Sequence, residues 1–351
     1  MRIAQIAPLY ESVPPQTYGG TERVVSYLTE ELVRQGHEVT LFASGDSRTS
    51  ARLVPACERA LRLDPGSIDH LAHHILLVEE VHSRAEEFDV LHFHIDYLHF
   101  PLTSRRGRPN LTTLHGRLDI PDLVPLYRRF RDLPVVSISD AQRRPLPWIN
   151  WVRTVYHGLP EEEFPFGEGG GGYLVFLGRI SPEKGVGKAI EIARAAGLPL
   201  AVAAKVDRAD QEYFEHTVKP LLAQPHVEFL GEVGGTEKAR LLGEARALLF
   251  PIDWPEPFGL VMIEALACGT PVVAMRRGSV PEVMSDPRSG FICDSLEEAV
   301  EAVARLPSLA RRGCRQVFEE RFSARRMARD YVEVYRGLAA GGSDAKARAT
   351  P

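Results

Sequence analysis

The chain has 351 residues, of which 44% are hydrophobic and 25% are charged, and its formal net charge is -5. This length is too great for one small core and suits two domains, and the negative charge argues against a nucleic-acid partner. The four cysteines show no metal-ligand spacing and no C-x-x-C pair, which is typical of reduced thiols in a cytosolic enzyme. The first predicted strand begins almost directly after Met1, and no apolar run approaches the roughly 20 residues that span a bilayer. We therefore expect a cytoplasmic protein.

Short apolar strands alternate with amphipathic helices from the amino terminus onward. The clearest helix is predicted at 21–35, where Val24, Val25, Leu28 and Leu32 share one face, and a second is predicted at 69–87. This alternation predicts a parallel sheet with helices on both faces. The predicted strands of the first half are 3–7, 38–43, 90–93, 111–114, 135–138 and 152–156.

Small and polar residues cluster at the ends of these strands. Gly19 and Gly20 follow the first strand and open the first helix, where the backbone can approach a ligand closely and a helix N-terminus favours an anion. His92 and His94 share one face of strand 90–93, and His115 follows strand 111–114. His-x-His-x-Asp, ending at Asp96, could bind zinc, but a catalytic zinc site takes three protein ligands and a water in a dry pocket. We expect a polar cluster without a metal.

A glycine-rich run at 167–172 interrupts the pattern, after which the alternation of strands and helices restarts. Glycine tracts behave as flexible connections, so we predict a first domain at 1–166, a linker at 167–172 and a second domain at 173–322. An amphipathic helix at 323–338 and a disordered tail at 339–351 follow. Ligands of such sheets bind at the carboxyl ends of the strands. The predicted strands of the second half are 173–177, 200–204, 227–230, 247–250 and 271–274.

Three cations are predicted to emerge at strand ends of the second half. Arg179 and Lys184 lie in Gly178-Arg-Ile-Ser-Pro-Glu-Lys-Gly185, and Lys205 ends the next strand. An arginine offers a planar fork to phosphate oxygens and a lysine offers a mobile charge. The nearby Gly187-Lys188 resembles a P-loop only superficially, because no Ser or Thr follows the lysine. We exclude a P-loop.

Two carboxylates stand eight positions apart in the stretch that begins at Trp254. Glu256 lies between two prolines, which disfavour helix there. The helical pattern starts after Gly259, which places Glu264 about two turns into the helix. The amides of residues 259–261 then form a helix N-terminus, which suits an anion. This combination of groups suits a sugar–phosphate ligand.

These motifs carry a resemblance to a known family. Residues 254–274, W-P-E-P-F-G-L-V-M-I-E-A-L-A-C-G-T-P-V-V-A, resemble the E-x(7)-E motif of retaining glycosyltransferases of family 4, and G-R-x-x-x-x-K-G resembles the family's pyrophosphate motif. The resemblance spans residues 1–338. It implies the α/β GT-B architecture, in which two Rossmann-like, doubly wound parallel-sheet domains face a cleft and a C-terminal helix crosses back to the first domain.

The resemblance also implies roles for particular residues. Glu264 is expected to bind ribose hydroxyls and Glu256 the hydroxyls of the donor sugar, while His115 orients that sugar. Arg179 and Lys184 are expected to stabilise the departing diphosphate, the largest electrostatic demand of the reaction. Further substrate-binding residues are predicted to be Gly19, Gly20, His94, Lys205, Phe258, Gly259, Leu260 and Val261.

The implied function is transfer of a sugar from a nucleotide-diphosphate sugar to a glycan, lipid or small-molecule acceptor, with retention of configuration and without a metal or other cofactor. Two alternatives stay open. One is another GT-B enzyme, such as a nucleotide-sugar epimerase, and the other is a catalytically silent module that binds sugar nucleotides. Contact with a membrane surface has weak support, because prolines interrupt the basic and aromatic stretch 143–153.

Overall fold

The computed structural model describes residues 1–16 and 19–348, and of residues 341–348 it describes the backbone alone. The chain forms two compact units. The first unit comprises residues 1–158 together with the residues from Ala324 onward, and the second comprises Leu159–Ser323. The division therefore falls between Gly158 and Leu159, before the glycine-rich run at 167–172 that we predicted as the linker.

The first unit is built on a parallel sheet that has seven strands within the described residues. Its strands are β1 (Arg2–Ile6), β2 (Glu38–Ser44), β3 (Arg52–Cys57), β4 (Val90–Phe93), β5 (Asn110–Thr113), β6 (Val135–Ser137) and β7 (Trp151–Thr154). They lie in the order β3-β2-β1-β4-β5-β6-β7, so the order reverses between β1 and β4. Strand β3 was not predicted, because it contains Pro55; proline is tolerated at a sheet edge, which is where β3 lies.

Helices of the first unit connect these strands. The buried face of the first helix holds Val24, Val25, Leu28 and Leu32, as its periodicity predicted. Gly19 precedes this helix as its N-cap. The second helix is capped by Asp69, whose carboxylate accepts from two backbone amides of the first turn. These helices are α1 (Gly20–Arg34), α2 (His70–Ser83), α3 (Phe100–Thr103), α4 (Leu123–Arg129) and α5 (Asp140–Arg143).

The second unit repeats the plan with a parallel sheet that has six strands in the described part of the chain. These are β8 (Leu174–Arg179), β9 (Leu200–Lys205), β10 (Val227–Gly231), β11 (Ala247–Phe250), β12 (Val272–Met275) and β13 (Gly290–Cys293), in the order β10-β9-β8-β11-β12-β13. The short edge strand β13 was not predicted. The two sheets confirm the prediction of two Rossmann-like domains.

Helices of the second unit enclose its sheet, whose core includes Leu174, Val202, Leu249 and Val273. The inner strands β8, β9, β11 and β12 are nearly continuous apolar runs because both of their faces are covered, whereas the edge strand β10 is largely exposed. These helices are α6 (Val186–Ala195), α7 (Gln211–Tyr213), α8 (Lys219–Leu222), α9 (Gly235–Glu244), α10 (Leu260–Ala267), α11 (Val280–Val283), α12 (Leu296–Arg305) and α13 (Arg311–Arg321).

The glycine-rich run is anchored within the second unit and is not a free linker. The amides of Gly167, Gly169 and Gly171 donate to the carbonyls of Cys268, Gly243 and Glu244 at 3.0–3.1 Å. The Arg311 side chain donates from Nε to the Gly167 carbonyl at 2.8 Å. A Cβ on Gly167 would lie 2.3 Å from the Gly243 carbonyl oxygen. Glycine here therefore permits a close backbone contact, and the predicted flexible connection is wrong on that point.

The last helix, α14 (Ala324–Arg348), belongs to the first unit, as the predicted crossover helix requires. Its Arg326 donates to the carbonyls of Tyr156 and His157 at 2.7 and 2.8 Å. The tail predicted to be disordered from residue 339 is helical as far as Arg348, and residues 349–351 lie outside the described residues. Within the described ranges, no helix combines the length and the apolar character that crossing a membrane requires.

Candidate functional site

Glu256 is the centre of a compact polar group in the second unit. Glu256 is 9% exposed. The Oε2 atom of Glu256 accepts from Lys184 Nζ at 2.5 Å and from Trp254 Nε1 at 3.1 Å. Lys184 Nζ also lies 4.6 Å from the centroid of the Trp254 ring, within cation–π range. A carboxylate from one predicted motif is therefore paired with the lysine of the other.

Two glycines allow the backbone segments of this group to approach one another. Gly185 has φ +76°, and a Cβ there would lie 2.3 Å from the Pro251 carbonyl oxygen. Gly278 has φ +52°, and a Cβ there would lie 2.3 Å from the Glu256 carbonyl oxygen. A side chain at either position would strain the backbone and displace its neighbour. The glycine that ends G-R-x-x-x-x-K-G thus has a packing function that fixes Lys184 beside Glu256.

Helix α10 carries the second carboxylate of the motif. It begins at Leu260 after Gly259, whose φ is +81°, and residues 259–261 are partly exposed. Glu264 is buried within the helix, and its Oε1 accepts from Lys238 Nζ at 2.6 Å. Lys238 lies on α9 and was not among the predicted site residues. The pair satisfies the charge of a carboxylate that would otherwise be costly to bury.

Arg179, the last residue of β8, stands among three carboxylates. Its Nη2 donates to Glu183 Oε1 at 2.8 Å, and oxygens of Asp207 and Asp210 lie 3.6 Å from its other nitrogens. Lys205, at the end of β9, lies 3.2 Å from Asp207 Oδ1. About a third of the Arg179 side chain is exposed. Both predicted strand-end cations are therefore accessible, with their charges balanced by neighbouring acids.

Two other positions of the second unit have different environments. Phe258 is 2% exposed, and its ring packs edge-on against that of Phe322. Phe258 was predicted as a substrate-binding residue, and because its side chain belongs to the core, only its backbone is left for such a contact. Lys188, from the rejected P-loop, forms an ion pair with Asp253 at 2.8 Å, in which the two side chains are 35% and 50% exposed.

The histidines predicted as site residues lie in a cluster of rings in the first unit that is buried except for part of His115. His94 Nδ1 lies 2.9 Å from His115 Nε2, and His94 Nε2 lies 2.8 Å from Gln5 Oε1. The ring of His157 stacks on that of His115 at 5.4 Å. Burial lowers the pKa of His115 to about 3 and that of His94 well below its usual value. Both rings are neutral at physiological pH.

The structure separates the roles of the clustered histidines. His115 is partly exposed, whereas His94 is 2% exposed and both its ring nitrogens have partners. The prediction that His94 binds substrate directly is therefore wrong in this arrangement, and His94 instead supports His115.

Asp96 does not extend the pattern of His92 and His94, because β4 ends at Phe93 and Asp96 has φ 50°. Over the described residues, no group of three or more histidines, cysteines or acids is arranged to hold a metal ion.

The Gly19–Gly20 turn has a close packing environment. A Cβ on Gly19 would lie 2.7 Å from Pro15 Cβ. Gly20 is exposed and begins α1, so the predicted helix N-terminus is present. In the first turn, Glu22 is buried, and burial raises the pKa of its carboxyl to about 7. A carboxyl that is easily protonated therefore lies beside this turn.

Comparison with known proteins identifies the family. The model of "Glycosyltransferase Family 4" matches residues 18–156, and that of "Glycosyl transferases group 1" matches residues 161–318. The two matches follow in order and between them take in most of both units. The chain is a family 4 glycosyltransferase of the GT-B type.

Individual relatives agree with this assignment. The glycosyltransferase is 25% identical to an uncharacterized glycosyltransferase of Methanocaldococcus jannaschii, over 83% of this chain and 84% of that protein. It is 27% identical to AviGT4, a glycosyltransferase involved in avilamycin A biosynthesis, with a TM-score of 0.76 over 97% and 98% of the two chains. HepE of Anabaena, solved in complex with UDP-glucose, is 18% identical with a TM-score of 0.70 over 96% and 100%. This last likeness shows the fold alone.

Three features of the glycosyltransferase were not predicted from its sequence. They are the Lys238 counter-ion of Glu264, the Trp254 donor to Glu256 and the acids around Arg179. Trp254 precedes Glu256 by two positions, so its proximity was a usable signal. A lysine on an amphipathic helix such as α9 gives no such signal, because most lysines of that kind are solvated.

Proposed function

We propose that this glycosyltransferase transfers a sugar from a nucleotide-diphosphate sugar to a hydroxyl of its acceptor, with retention of configuration and without a metal ion. The observation that carries the proposal is the Lys184–Glu256 pair at 2.5 Å, with Arg179 and the start of α10 in the same unit. This unit thus supplies carboxylates for hydroxyls and cations for a diphosphate. Cationic side chains can supply the charge stabilisation that metal ions give in other phosphate sites.

In the proposed reaction, the acceptor oxygen bonds to the anomeric carbon as the bond from that carbon to the diphosphate oxygen breaks. The hydroxyl proton of the acceptor passes to the departing phosphate oxygen, and the products are a glycoside and a nucleoside diphosphate. Lys184 exchanges Glu256 for the diphosphate, which frees the Glu256 carboxylate to accept from sugar hydroxyls. Arg179 adds a second cation, and Glu264 binds the ribose hydroxyls.

The His115 ring of the first unit is proposed to bind a sugar hydroxyl. Its pKa, lowered to about 3 by burial, keeps it neutral, so it can take part in a hydrogen bond without adding charge. One relative by fold supports the donor class, since HepE of Anabaena was solved with UDP-glucose.

The test is a thermal-shift panel of UDP, GDP, ADP and their common sugar conjugates, without added metal. A ligand at 100 times its Kd that binds only the folded state contributes about 2.7 kcal/mol. We expect a shift with one nucleotide family, which Glu264→Ala abolishes and Glu237→Ala retains, because Glu237 is an exposed residue of α9. A shift that survives Glu264→Ala contradicts the assigned ribose contact. No shift with any nucleotide or sugar conjugate contradicts the proposed donor site, whereas a shift without turnover favours the silent-module alternative.

Turnover separates the proposed transferase from an epimerase. A transferase consumes the stabilising sugar nucleotide rapidly only when an acceptor is present, whereas an epimerase converts it alone. We expect slow release of nucleoside diphosphate without acceptor and faster release with a productive acceptor. Conversion of the sugar nucleotide to an isomer, without release of the diphosphate, would refute the transferase assignment.

A further inference from the structure

A continuous chain of hydrogen bonds runs through the interior of the first unit and ends at His115. It passes from that ring through His94, which follows β4, and Gln5 of β1 to Tyr335 of α14, and then returns to His92 of β4. The links are His115 Nε2 to His94 Nδ1 (2.9 Å), His94 Nε2 to Gln5 Oε1 (2.8 Å), Gln5 Nε2 to Tyr335 Oη (3.0 Å), Tyr335 Oη to His92 Nδ1 (2.7 Å) and His92 Nε2 to Thr113 Oγ1 (2.8 Å).

The members behind His115 are removed from water. Gln5, His92 and Tyr335 are 0% exposed and His94 is 2% exposed. Because protonated imidazoles would place uncompensated charge in this interior, burial lowers the pKa values of all three histidines of the chain. Each ring is therefore neutral, with one nitrogen that donates and one that accepts.

The amide of Gln5 sets the direction of the chain. Its Oε1 can only accept, so the proton of His94 lies on Nε2 and His94 Nδ1 accepts. His115 must then donate from Nε2 to His94 Nδ1, which leaves the lone pair of His115 on Nδ1. On the other side, Gln5 Nε2 donates to Tyr335, and the Tyr335 hydroxyl donates to His92 Nδ1.

We propose that Gln5 and His94 are positioning residues that hold His115 as the Nε2–H tautomer, with Tyr335 of α14 accepting from the other end of the Gln5 amide. The tautomer of a histidine is set by the partner of its other nitrogen. Here that partner is His94, and the proton of His94 is in turn placed by the Gln5 amide. The opposite tautomer requires the Gln5 amide to turn over and every proton of the chain to shift.

The tautomer determines which ligand group His115 accepts. Its Nδ1 is buried and has no hydrogen-bond partner among the described residues, so a ligand reaches it only once the atoms that cover it move aside. Because Nδ1 carries a lone pair and no hydrogen in this tautomer, it accepts from a hydroxyl and repels a phosphate or carboxylate oxygen. The contact therefore selects a sugar that presents a hydroxyl there, and disfavours one that presents a carboxylate. The assignment of this ligand rests on the proposed function, whereas the tautomer does not.

Histidine nitrogen chemical shifts measure the tautomer in the full-length, ligand-free protein. Long-range ¹H–¹⁵N spectra distinguish protonated from unprotonated ring nitrogens, and loss of signals in His115→Asn assigns His115. We expect Nε2–H on His115 and His94 in the wild type. Protonation of His115 on Nδ1 overturns the inference.

Variants of Gln5 test the cause of that tautomer. Gln5→Met removes the acceptor and is expected to give mixed tautomers at His115, whereas Gln5→Glu keeps an acceptor for His94 and is expected to retain Nε2–H. Tyr331→Phe is the matched control, because it removes a buried hydroxyl beyond His92, where Tyr331 lies 2.8 Å from Thr113 Oγ1. If the tautomer of His115 is unchanged in Gln5→Met, the positioning role is overturned. If Gln5→Met does not fold, a changed tautomer of His115 in Gln5→Glu overturns that role instead.

Binding of UDP and UDP-glucose tests the ligand contact separately. Gln5→Met is expected to weaken UDP-glucose about 3- to 10-fold, the value of a neutral hydrogen bond, and to leave the affinity for UDP unchanged. Equal weakening of both ligands refutes a contact with the sugar. Failure of both to bind the wild type counts against the proposed function with UDP, and the nitrogen shifts then decide the inference alone.

Discussion

Replacement of Lys184 by methionine is the sharpest test of the charge arrangement. In the structure, Lys184 Nζ lies 2.5 Å from Glu256 Oε2, and the two side chains are 19% and 11% exposed. Lys184→Met leaves Glu256 nearly buried with Trp254 Nε1 as its remaining side-chain donor. Breaking a buried pair costs about 3–5 kcal/mol. Since Glu256 keeps that donor and some access to water, we expect Lys184→Met to lower the free energy of unfolding by about 2–3 kcal/mol.

The expected loss of function is larger and has a different cause. A charged hydrogen bond contributes about 1.5–3 kcal/mol, so we expect the Kd for the nucleoside diphosphate to rise about 10- to 150-fold. Loss of one donor to the charge that develops in the transition state lowers kcat about 10²- to 10³-fold. The assays are urea unfolding, titration with the diphosphate and transfer at saturating donor.

Lys188→Met is the matched control, since Lys188 lies four positions away and its ion pair with Asp253 is largely exposed. Exposed pairs contribute about 0–1 kcal/mol, and we expect near-normal transfer. The double variant Lys184→Met with Glu256→Gln should recover stability without recovering transfer. If Lys184→Met transfers sugar within threefold of Lys188→Met, Lys184 does not act on the diphosphate and the reasoning is refuted.

Two further predictions concern stability. Arg311→Met should destabilise the second unit by at least about 3 kcal/mol and speed hydrogen exchange of the 167–172 amides, because its guanidinium donates to four backbone carbonyls and to Thr270. Arg312→Met, which loses a contact with the Phe166 ring, should cost no more than about 1 kcal/mol; equal effects would contradict the anchoring. The second concerns acid. Five histidines have pKa values well below their usual 6.5, so the unfolded chain binds protons first as the pH falls and stability is lost below pH 6.5. Each of these histidines should lower the free energy of unfolding by about 1 kcal/mol between pH 7.5 and pH 5.5. Urea unfolding at the two pH values measures the change, and equal stability at both would show that these rings are not neutral in the folded protein. They are His92, His94, His99, His115 and His157.

Much of the fold could be predicted because apolar strands that are buried on both faces leave a strong local signal. Strand β3 escaped prediction because Pro55 lowers strand propensity and only the sheet edge makes it acceptable. The glycine-rich run was misread for a related reason. Its composition is that of a linker, but the arginine that anchors it lies 144 residues further along the chain, and no local pattern records such a partner.

The candidate site divides in the same way between local and distant information. The E-x(7)-E spacing fixed the backbone positions of Glu256 and Glu264, and both lie where that spacing predicted, one on a loop and one in α10. The spacing said nothing of Phe258, whose burial is decided by Phe322. The predicted contact of His94 with substrate came from its position near a strand end, and only the folded sheet shows that its ring is covered while that of His115 is partly exposed.

The two ion pairs explain why the motifs depend on each other. A carboxylate that is nearly buried requires a counter-ion to stay charged, and each Glu of the motif takes its counter-ion from another element. Lys184 lies 72 positions before Glu256, and Lys238 lies 26 positions before Glu264. Because Lys184 belongs to a motif of its own, the first pair could be anticipated from the sequence, whereas Lys238 could not. E-x(7)-E therefore describes only half of the charged group, and a chain that kept both glutamates but lost either lysine would retain the motif without its electrostatics.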